Sequence, residues 1–267
     1  MKEKTFTVTN GSRVICAIWD NVQNPIGIIQ IIHGIYDNIK IYRRFAEFMN
    51  HNGYIVFGSD RLLHKKEHAC PHSFEDSVKL QMNLMQYLYN KYGLPIFLFG
   101  YGYGGLITQS ILQKSEMPAA GVCLANTGKY PRLILYIATM FTWACAKIFG
   151  KNAPANVLTH IVVGKRRLHD VPKCSHGFFL ALFRGIMNIR PEPKFNTPIL
   201  MISGAHNTFA TNPQFSRALY NKYRNNGITQ ITMIIYPDID DNLLLEMNFG
   251  TISDDILDFF KHAKSYN

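Results

Sequence analysis

Short apolar runs alternate with amphipathic stretches along most of this 267-residue chain. Runs rich in β-branched and aromatic residues are typical of buried strands, whereas apolar positions spaced three and four apart are typical of helices that cover a sheet. These patterns predict strands at 6–8, 14–19, 27–32, 54–57, 96–99, 121–125, 199–203 and 231–236. They predict helices at 42–52, 73–92, 106–114, 213–225 and 252–262. Repeated strand–helix units indicate an α/β fold with a mostly parallel sheet and helices on both faces.

The strand–helix alternation stops between residues 126 and 196, where the chain is helical, aromatic and basic. We therefore expect one core domain formed by 1–125 and 197–267. The segment 126–196 is expected to be a helical cap inserted into the same domain, over the carboxyl edge of the sheet.

Positive charge is concentrated in this cap. The whole chain carries a net charge of +10, and 126–196 contains eleven Lys or Arg residues against two acids, a net charge of +9. A localised basic patch predicts an anionic partner, although a solvated basic face would have the same composition. The run Lys165, Arg166 and Arg167 is the candidate contact surface. We expect a membrane or a protein at this surface rather than nucleic acid.

The cap also contains an apolar stretch at 133–149 and a second at 178–187. The first has 17 residues, fewer than the roughly 20 that a membrane span needs. Apolar helices beside basic residues favour a peripheral contact with anionic lipid. The alternative is that these residues simply pack on the sheet.

Cysteine and histidine usage bears on compartment and metal binding. The five cysteines are scattered without a C-x-x-C pair, and the first thirteen residues contain no apolar leader. Both features predict a cytoplasmic protein with free thiols, peripherally bound to membrane if the cap contacts lipid. The ten histidines are dispersed and form no H-E-x-x-H motif, so we expect neither a metal nor a cofactor.

The candidate chemistry lies in the turn Gly100-Tyr101-Gly102-Tyr103-Gly104-Gly105, between a predicted strand and a predicted helix. A strand, a G-x-S-x-G turn and a helix together form a nucleophile elbow, whose central residue projects into the active site. Here that residue is Gly102, which has no side chain. The same glycines also fit G-x-G-x-x-G, a dinucleotide fingerprint. That alternative is weaker, because Ala125-Asn126 replaces the acid expected after the next strand and at least three strands precede the turn.

Several motifs in the chain resemble the monoacylglycerol lipase and lysophospholipase branch of the α/β-hydrolases, which also contains the serine aminopeptidases of the S33 family. They are Ile31-Ile32-His33-Gly34, Tyr42-Arg43-Arg44-Phe45-Ala46, Gly53-Tyr54-Ile55-Val56 with Asp60-Arg61, Phe97 through Gly105, Pro198 through Gly204, and Tyr236-Pro237. The resemblance implies the α/β-hydrolase fold, a Ser-His-Asp triad for ester hydrolysis, and a cap over an acyl-chain tunnel that docks on membranes.

Carrying the triad across residue by residue indicates that it is degenerate. The nucleophile falls at Gly102, the acid at Asn207, three residues after Gly204, and the base at Asp241, five residues after Tyr236. Asn207 cannot stabilise a protonated imidazole, and Asp241 has no hydroxyl at position 102 to deprotonate.

The resemblance also places an oxyanion hole at the backbone N–H groups of Ile35 and Tyr103. The neighbouring elbow and pocket positions are His33, Gly34, Tyr101 and Gly104.

Three functional hypotheses follow. The leading one is a non-catalytic relative of these lipases that binds a lipid-like or acyl ligand, a membrane surface or a protein. The alternative is an active carboxylic-ester hydrolase with a relocated nucleophile, for which Tyr101, Tyr103 and Cys123 are candidates. A purely structural role that uses the basic cap is the third.

Overall fold

The computed structural model describes residues 1–7, 13–35, 37–60, 73–163, 174–205, 212–237, 239, 244 and 249–264. Within those residues, eight strands form one sheet in the order β1-β2-β4-β3-β5-β6-β7-β8. The strands are β1 Lys2–Thr7, β2 Arg13–Trp19, β3 Gly27–Ile32, β4 Tyr54–Ser59, β5 Ile96–Tyr101, β6 Gly121–Ala125, β7 Ile199–Gly204 and β8 Ile231–Tyr236.

The sheet is parallel from β4 to β8, whereas β1 and β2 join it antiparallel at one edge. Strands β3 to β7 are buried along their whole length, which explains their continuous apolar sequences. Gln30 interrupts the apolar run of β3, and its amide donates to Oε1 of Gln81 at 2.8 Å. That hydrogen bond satisfies the amide nitrogen of a side chain that is completely buried.

Helices cover both faces of the sheet. Their bounds are α1 Arg43–His51, α2 Phe74–Tyr92, α3 Tyr103–Lys114, α4 Arg132–Phe149, α5 Asn156–Val163, α6 His176–Asn188, α7 Pro213–Asn225 and α8 Phe249–Lys264. Apolar residues of α1 and α8 fill the core on one face. Those of α2, α3, α6 and α7 fill the core on the other.

Helices α4, α5 and α6 lie between β6 and β7 in the chain, within the segment predicted to be the cap. Helix α6 packs directly on α2, where a side chain at Gly185 would collide with the ring of Phe74. Helix α4 packs on α6. It therefore forms an outer layer, separated from the sheet by another helix.

The structure confirms the predicted fold class and shifts several element bounds, among them those of β1 and α3. Strand β1 begins at Lys2 rather than at residue 6, because its pairing with β2 extends from Thr7 back to Lys2. Helix α3 begins at Tyr103 rather than at 106, directly after the turn.

The prediction of free thiols is wrong for one described cysteine. Cys16, Cys123 and Cys145 are free, but Cys174 is disulfide-bonded. The scattered spacing of the cysteines did not indicate this bond, because a pairing cannot be deduced from sequence alone. Cysteine usage therefore no longer supports a reducing compartment, and the cytoplasmic location stays a prediction.

Candidate functional site

The centre of the candidate site is the turn between β5 and α3. Gly102 has φ 52° and ψ −110°, a backbone conformation that residues with side chains rarely adopt. Its N–H donates to the carbonyl oxygen of Ala125 on β6 at 2.8 Å. Its own carbonyl accepts from Leu106 N at 3.2 Å, which starts the hydrogen-bonding of α3. The turn has the geometry of a nucleophile elbow, as the sequence predicts.

Space around the turn differs sharply between Gly104 and Gly102. A Cβ atom at Gly104 would collide with the carbonyl oxygen of Ile32, since α3 starts against the end of β3. At Gly102, the described residues beyond its two chain neighbours place no heavy atom within 4 Å of an added Cβ atom. The described part of the chain therefore leaves room for a side chain at the centre of the elbow, and the sequence supplies none.

The loop after β3 contains Ile35, one of the two predicted oxyanion residues, whereas Tyr103 begins α3. Ile35 is buried, and the N–H of Gly34 donates to Oδ2 of Asp37 at 3.2 Å. The hydroxyl of Tyr42 donates to the same oxygen at 2.8 Å. Burial and the neighbouring Asp37 carboxylate raise the pKa of Tyr42 well above its usual value, so the phenol keeps its proton. Asp37 and Tyr42 thus fix the loop, a role that the sequence did not reveal for Asp37.

His33 is a structural residue of the same loop. Its Nδ1 lies 2.7 Å from the carbonyl oxygen of Gly34, which can only accept, so Nδ1 carries the proton. Its Nε2 lies 3.8 Å from Oδ1 of Asp60, beyond hydrogen-bond distance. The side chain is 3% exposed. These contacts hold β3 and the loop together.

Tyr101 and Tyr103 flank the elbow but point to opposite faces of the sheet. Tyr101 belongs to the core that α1 and α8 cover, and its hydroxyl accepts from Nδ2 of Asn126 at 3.3 Å. The hydroxyl of Tyr103 donates to Oγ of Ser77 at 3.1 Å, and its ring contacts Phe178 of the cap helix α6. Both are buried.

The described contacts of the candidates for a relocated nucleophile favour structural roles. The hydroxyl of Tyr101 bonds to the amide of Asn126, and that of Tyr103 to the hydroxyl of Ser77. Cys123 is buried within β6, and burial raises the pKa of its thiol, so the reactive thiolate is suppressed. Among the residues that the structure describes, no group of three or more His, Cys, Asp or Glu could hold a metal ion.

Asn126, at the end of β6, connects the elbow to the next strand. It has φ 46°, is completely buried, and its Oδ1 accepts from Gly204 N at 3.2 Å. With the bond to Tyr101, this side chain joins the ends of β5, β6 and β7. The sequence signal for this role is an Asn directly after a buried strand, since Asn adopts a positive φ more often than most residues.

The remaining predicted site residues lie outside the described part of the chain. They are Asn207, Asp241, Lys165, Arg166, Arg167 and the neighbouring His206. The strands that lead to the first two are placed, and Gly204 pairs with Tyr236 where β7 and β8 end. Ala205 N donates to the carbonyl oxygen of Tyr236 at 2.9 Å, so both loops leave the sheet side by side at the carboxyl edge.

The outer cap helix α4 exposes most of its apolar residues. Its large exposed side chains are Leu133, Ile134, Tyr136, Ile137, Met140, Phe141, Trp143, Ile148 and Phe149. The buried ones are Leu135, Thr142 and Ala146, which form a single stripe. Among the described helices, α4 is the one whose length and mean hydropathy of 1.4 match a membrane span, and 11% of that span is buried in the protein.

Known proteins resemble this chain in sequence and fold. Residues 23–248 match the family described as "Serine aminopeptidase, S33". A monoglyceride lipase homolog of Monkeypox virus is 26% identical over 211 residues, covering 73% of this chain and 75% of the relative. The monoglyceride lipase of Homo sapiens is 26% identical over 221 residues, covering 73% and 70%. A highly thermostable carboxyl esterase from Bacillus coagulans has the same fold, with a TM-score of 0.80 at 15% identity and 98% of each chain covered.

The strand order, the elbow between β5 and α3, and the match to residues 23–248 agree with one another. The dinucleotide alternative is therefore set aside. The chain belongs to the serine aminopeptidase S33 family of α/β-hydrolases, in its monoglyceride lipase and lysophospholipase group.

Proposed function

We propose that this chain is a non-catalytic member of its family, in which the hydrolase scaffold serves binding. The observation that carries the proposal is Gly102, which stands without a side chain at the centre of the elbow, where the described residues beyond its neighbours leave room for a nucleophile. Asn207 and Asp241, at the positions assigned to acid and base, support it. Loss of a complete triad costs about 10⁶-fold in rate, or about 8 kcal/mol of transition-state stabilisation.

A fluorophosphonate probe tests this proposal, because it forms a covalent bond with activated serine nucleophiles. We expect no labelling of the purified chain and no hydrolysis of monoacylglycerol above the uncatalysed rate. Human monoglyceride lipase, assayed in parallel, controls for probe and substrate quality. Stoichiometric labelling at any residue would contradict the proposal and favour a relocated nucleophile.

We also propose that the cap docks this protein on a lipid surface, as a peripheral membrane protein. Nine large apolar side chains of α4 face outward, an arrangement that costs free energy in water unless a partner covers them. Leu135, Thr142 and Ala146 pack on the protein, so lipid cannot surround the helix, which favours an interfacial position over a span. Lys147 and Lys151 lie at its exposed end, where they would meet anionic headgroups.

Vesicle flotation tests the docking. We expect the protein to float with vesicles of phosphatidylcholine and phosphatidylserine, and a variant with Ile137→Ser and Phe141→Ser to remain in the soluble fraction. Tyr87→Ser and Tyr89→Ser on α2 provide the matched control, since both tyrosines are exposed but lie outside the cap. Equal flotation of the two double variants would overturn the role of α4.

A further inference from the structure

A cleft of about 300 Å³ lies beside α4, between this helix, the end of α6 and α7. It is separate from the elbow, since neither Gly102 nor the loop after β3 lines it. Its walls include Leu135 of α4 and Leu219 of α7, both buried. The cleft therefore has an apolar floor, and it opens next to the lipid-facing helix.

Four basic residues line this cleft, namely Lys129, Arg132, Arg190 and Lys222. Among the described lining residues, Glu192 is the one acid that opposes them. Some basic side chains elsewhere in the described part of the chain form ion pairs with acids, as Lys114 does with Glu75 and Lys194 with Glu116. Within the described part of the chain, none of the four cleft cations forms such an ion pair.

The start of α4 adds to the positive potential of the cleft. Its N-cap residue is Pro131, which makes no side-chain capping bond, and its first turn contains no acid. The backbone N–H groups of that turn thus lack the usual capping acceptor, and the helix dipole is positive at this end. Arg132, the first residue of this turn, lines the cleft.

We infer that this cleft binds the phosphate monoester headgroup of an anionic phospholipid in the membrane on which α4 docks. The inference rests on the proposed docking and deepens it by naming the lipid class. Several converging cations with one acid match a phosphate monoester, which carries more charge than a carboxylate and accepts bidentate hydrogen bonds from arginine. The apolar floor suits the glycerol and acyl carbons next to the phosphate.

The test compares three vesicle compositions with the full-length chain. One is phosphatidylcholine alone, one adds phosphatidylserine, and one adds phosphatidic acid at the same total charge. We expect tighter binding to the third by about tenfold, because its phosphate monoester can enter the cleft.

The double variant Arg190→Gln with Lys222→Gln should abolish the preference for the third vesicle. Lys147→Gln with Lys151→Gln removes the same charge from the cap outside the cleft, and this control should weaken binding to both anionic vesicles while keeping the preference.

Each other outcome overturns a definite part of the inference. Vesicle binding without a preference for the phosphate monoester, or a preference that survives in the cleft variant, would overturn the headgroup site and leave docking intact. Failure of the unaltered protein to bind any vesicle would overturn both the headgroup site and the docking.

Calorimetry with soluble glycerol 3-phosphate distinguishes a lipid headgroup from a free phosphate ester. Binding of this ester as tight as that of the vesicles would overturn the lipid assignment and indicate a soluble phosphate ester.

Discussion

At the scale of single residues, two glycines of one turn meet different structural requirements. Gly104 is required by close approach, because any side chain there would meet the backbone of Ile32. Gly102 is favoured by its backbone angles, since the described residues beyond its chain neighbours leave the space around an added Cβ atom open. The described part of the elbow thus has room for a side chain that the sequence does not supply.

This contrast predicts the effect of a side chain at each position. We expect Gly102→Ser to fold and to lose about 1–3 kcal/mol in free energy of unfolding, the cost of a strained backbone conformation. It should remain unreactive towards fluorophosphonate, because no imidazole stands at position 241 to accept the proton. Urea unfolding measures the first effect and gel labelling the second.

Gly104→Ser is the matched variant, with the same added atoms at a closed position. We expect it to lose more than about 4 kcal/mol or to fail to fold, as overpacking against backbone has no cheap relaxation. Equal stability losses in the two variants would show that the space above Gly102 is filled in solution.

At the scale of elements, helix α4 has two faces with opposite energetic roles. Leu135 is buried against the protein, whereas Ile137 is 58% exposed. We expect Leu135→Ala to lower the free energy of unfolding by about 2–4 kcal/mol, and Ile137→Ala to change it by less than about 0.5 kcal/mol. Urea unfolding of both variants without lipid checks this. A large loss for Ile137→Ala would mean that the protein itself covers the outer face, which would remove the reason for membrane docking.

The sequence predicted those features of the elements that depend on local pattern. An apolar run predicted each strand of the parallel sheet, and glycines between a predicted strand and a predicted helix indicated the elbow. The exposure of the apolar side chains of α4 was not predictable, because the same apolar pattern suits a buried helix and a lipid-facing helix equally well. The contacts of Asp37 and Asn126 were also missed, because they join loops that are distant in sequence and become neighbours only in the folded sheet.

At the scale of the whole molecule, a buried thiol makes stability depend on pH. Burial, and to a smaller extent the Asp60 carboxylate, raise the pKa of Cys16 from 9.0 to about 12. The folded state therefore retains a proton that the unfolded state loses above pH 9, so this contribution is complete below pH 9 and is lost as pH rises towards 12. We expect the free energy of unfolding to fall by at most about 1.4 kcal/mol per pH unit from this group.

Urea unfolding at a series of alkaline pH values measures that slope. Cys16→Ala removes the titrating group and should flatten the curve. A residual slope is expected from Tyr54, whose pKa burial also raises to about 12. If Cys16→Ala kept the full slope, the thiol would not be protected from solvent in the folded protein.

The triad itself belongs to this largest scale, because its three positions come from three separate parts of the chain. Strands β7 and β8 end side by side, at Gly204 and Tyr236, at the carboxyl edge of the sheet where β5 enters the elbow. If the hydrolase scaffold is intact, Gly102→Ser, Asn207→Asp and Asp241→His together should give measurable fluorophosphonate labelling and ester hydrolysis. Single variants should give none, since triad residues act as a unit and their effects are not additive. A triple variant with native circular dichroism but no labelling would show that the site has lost more than its three side chains.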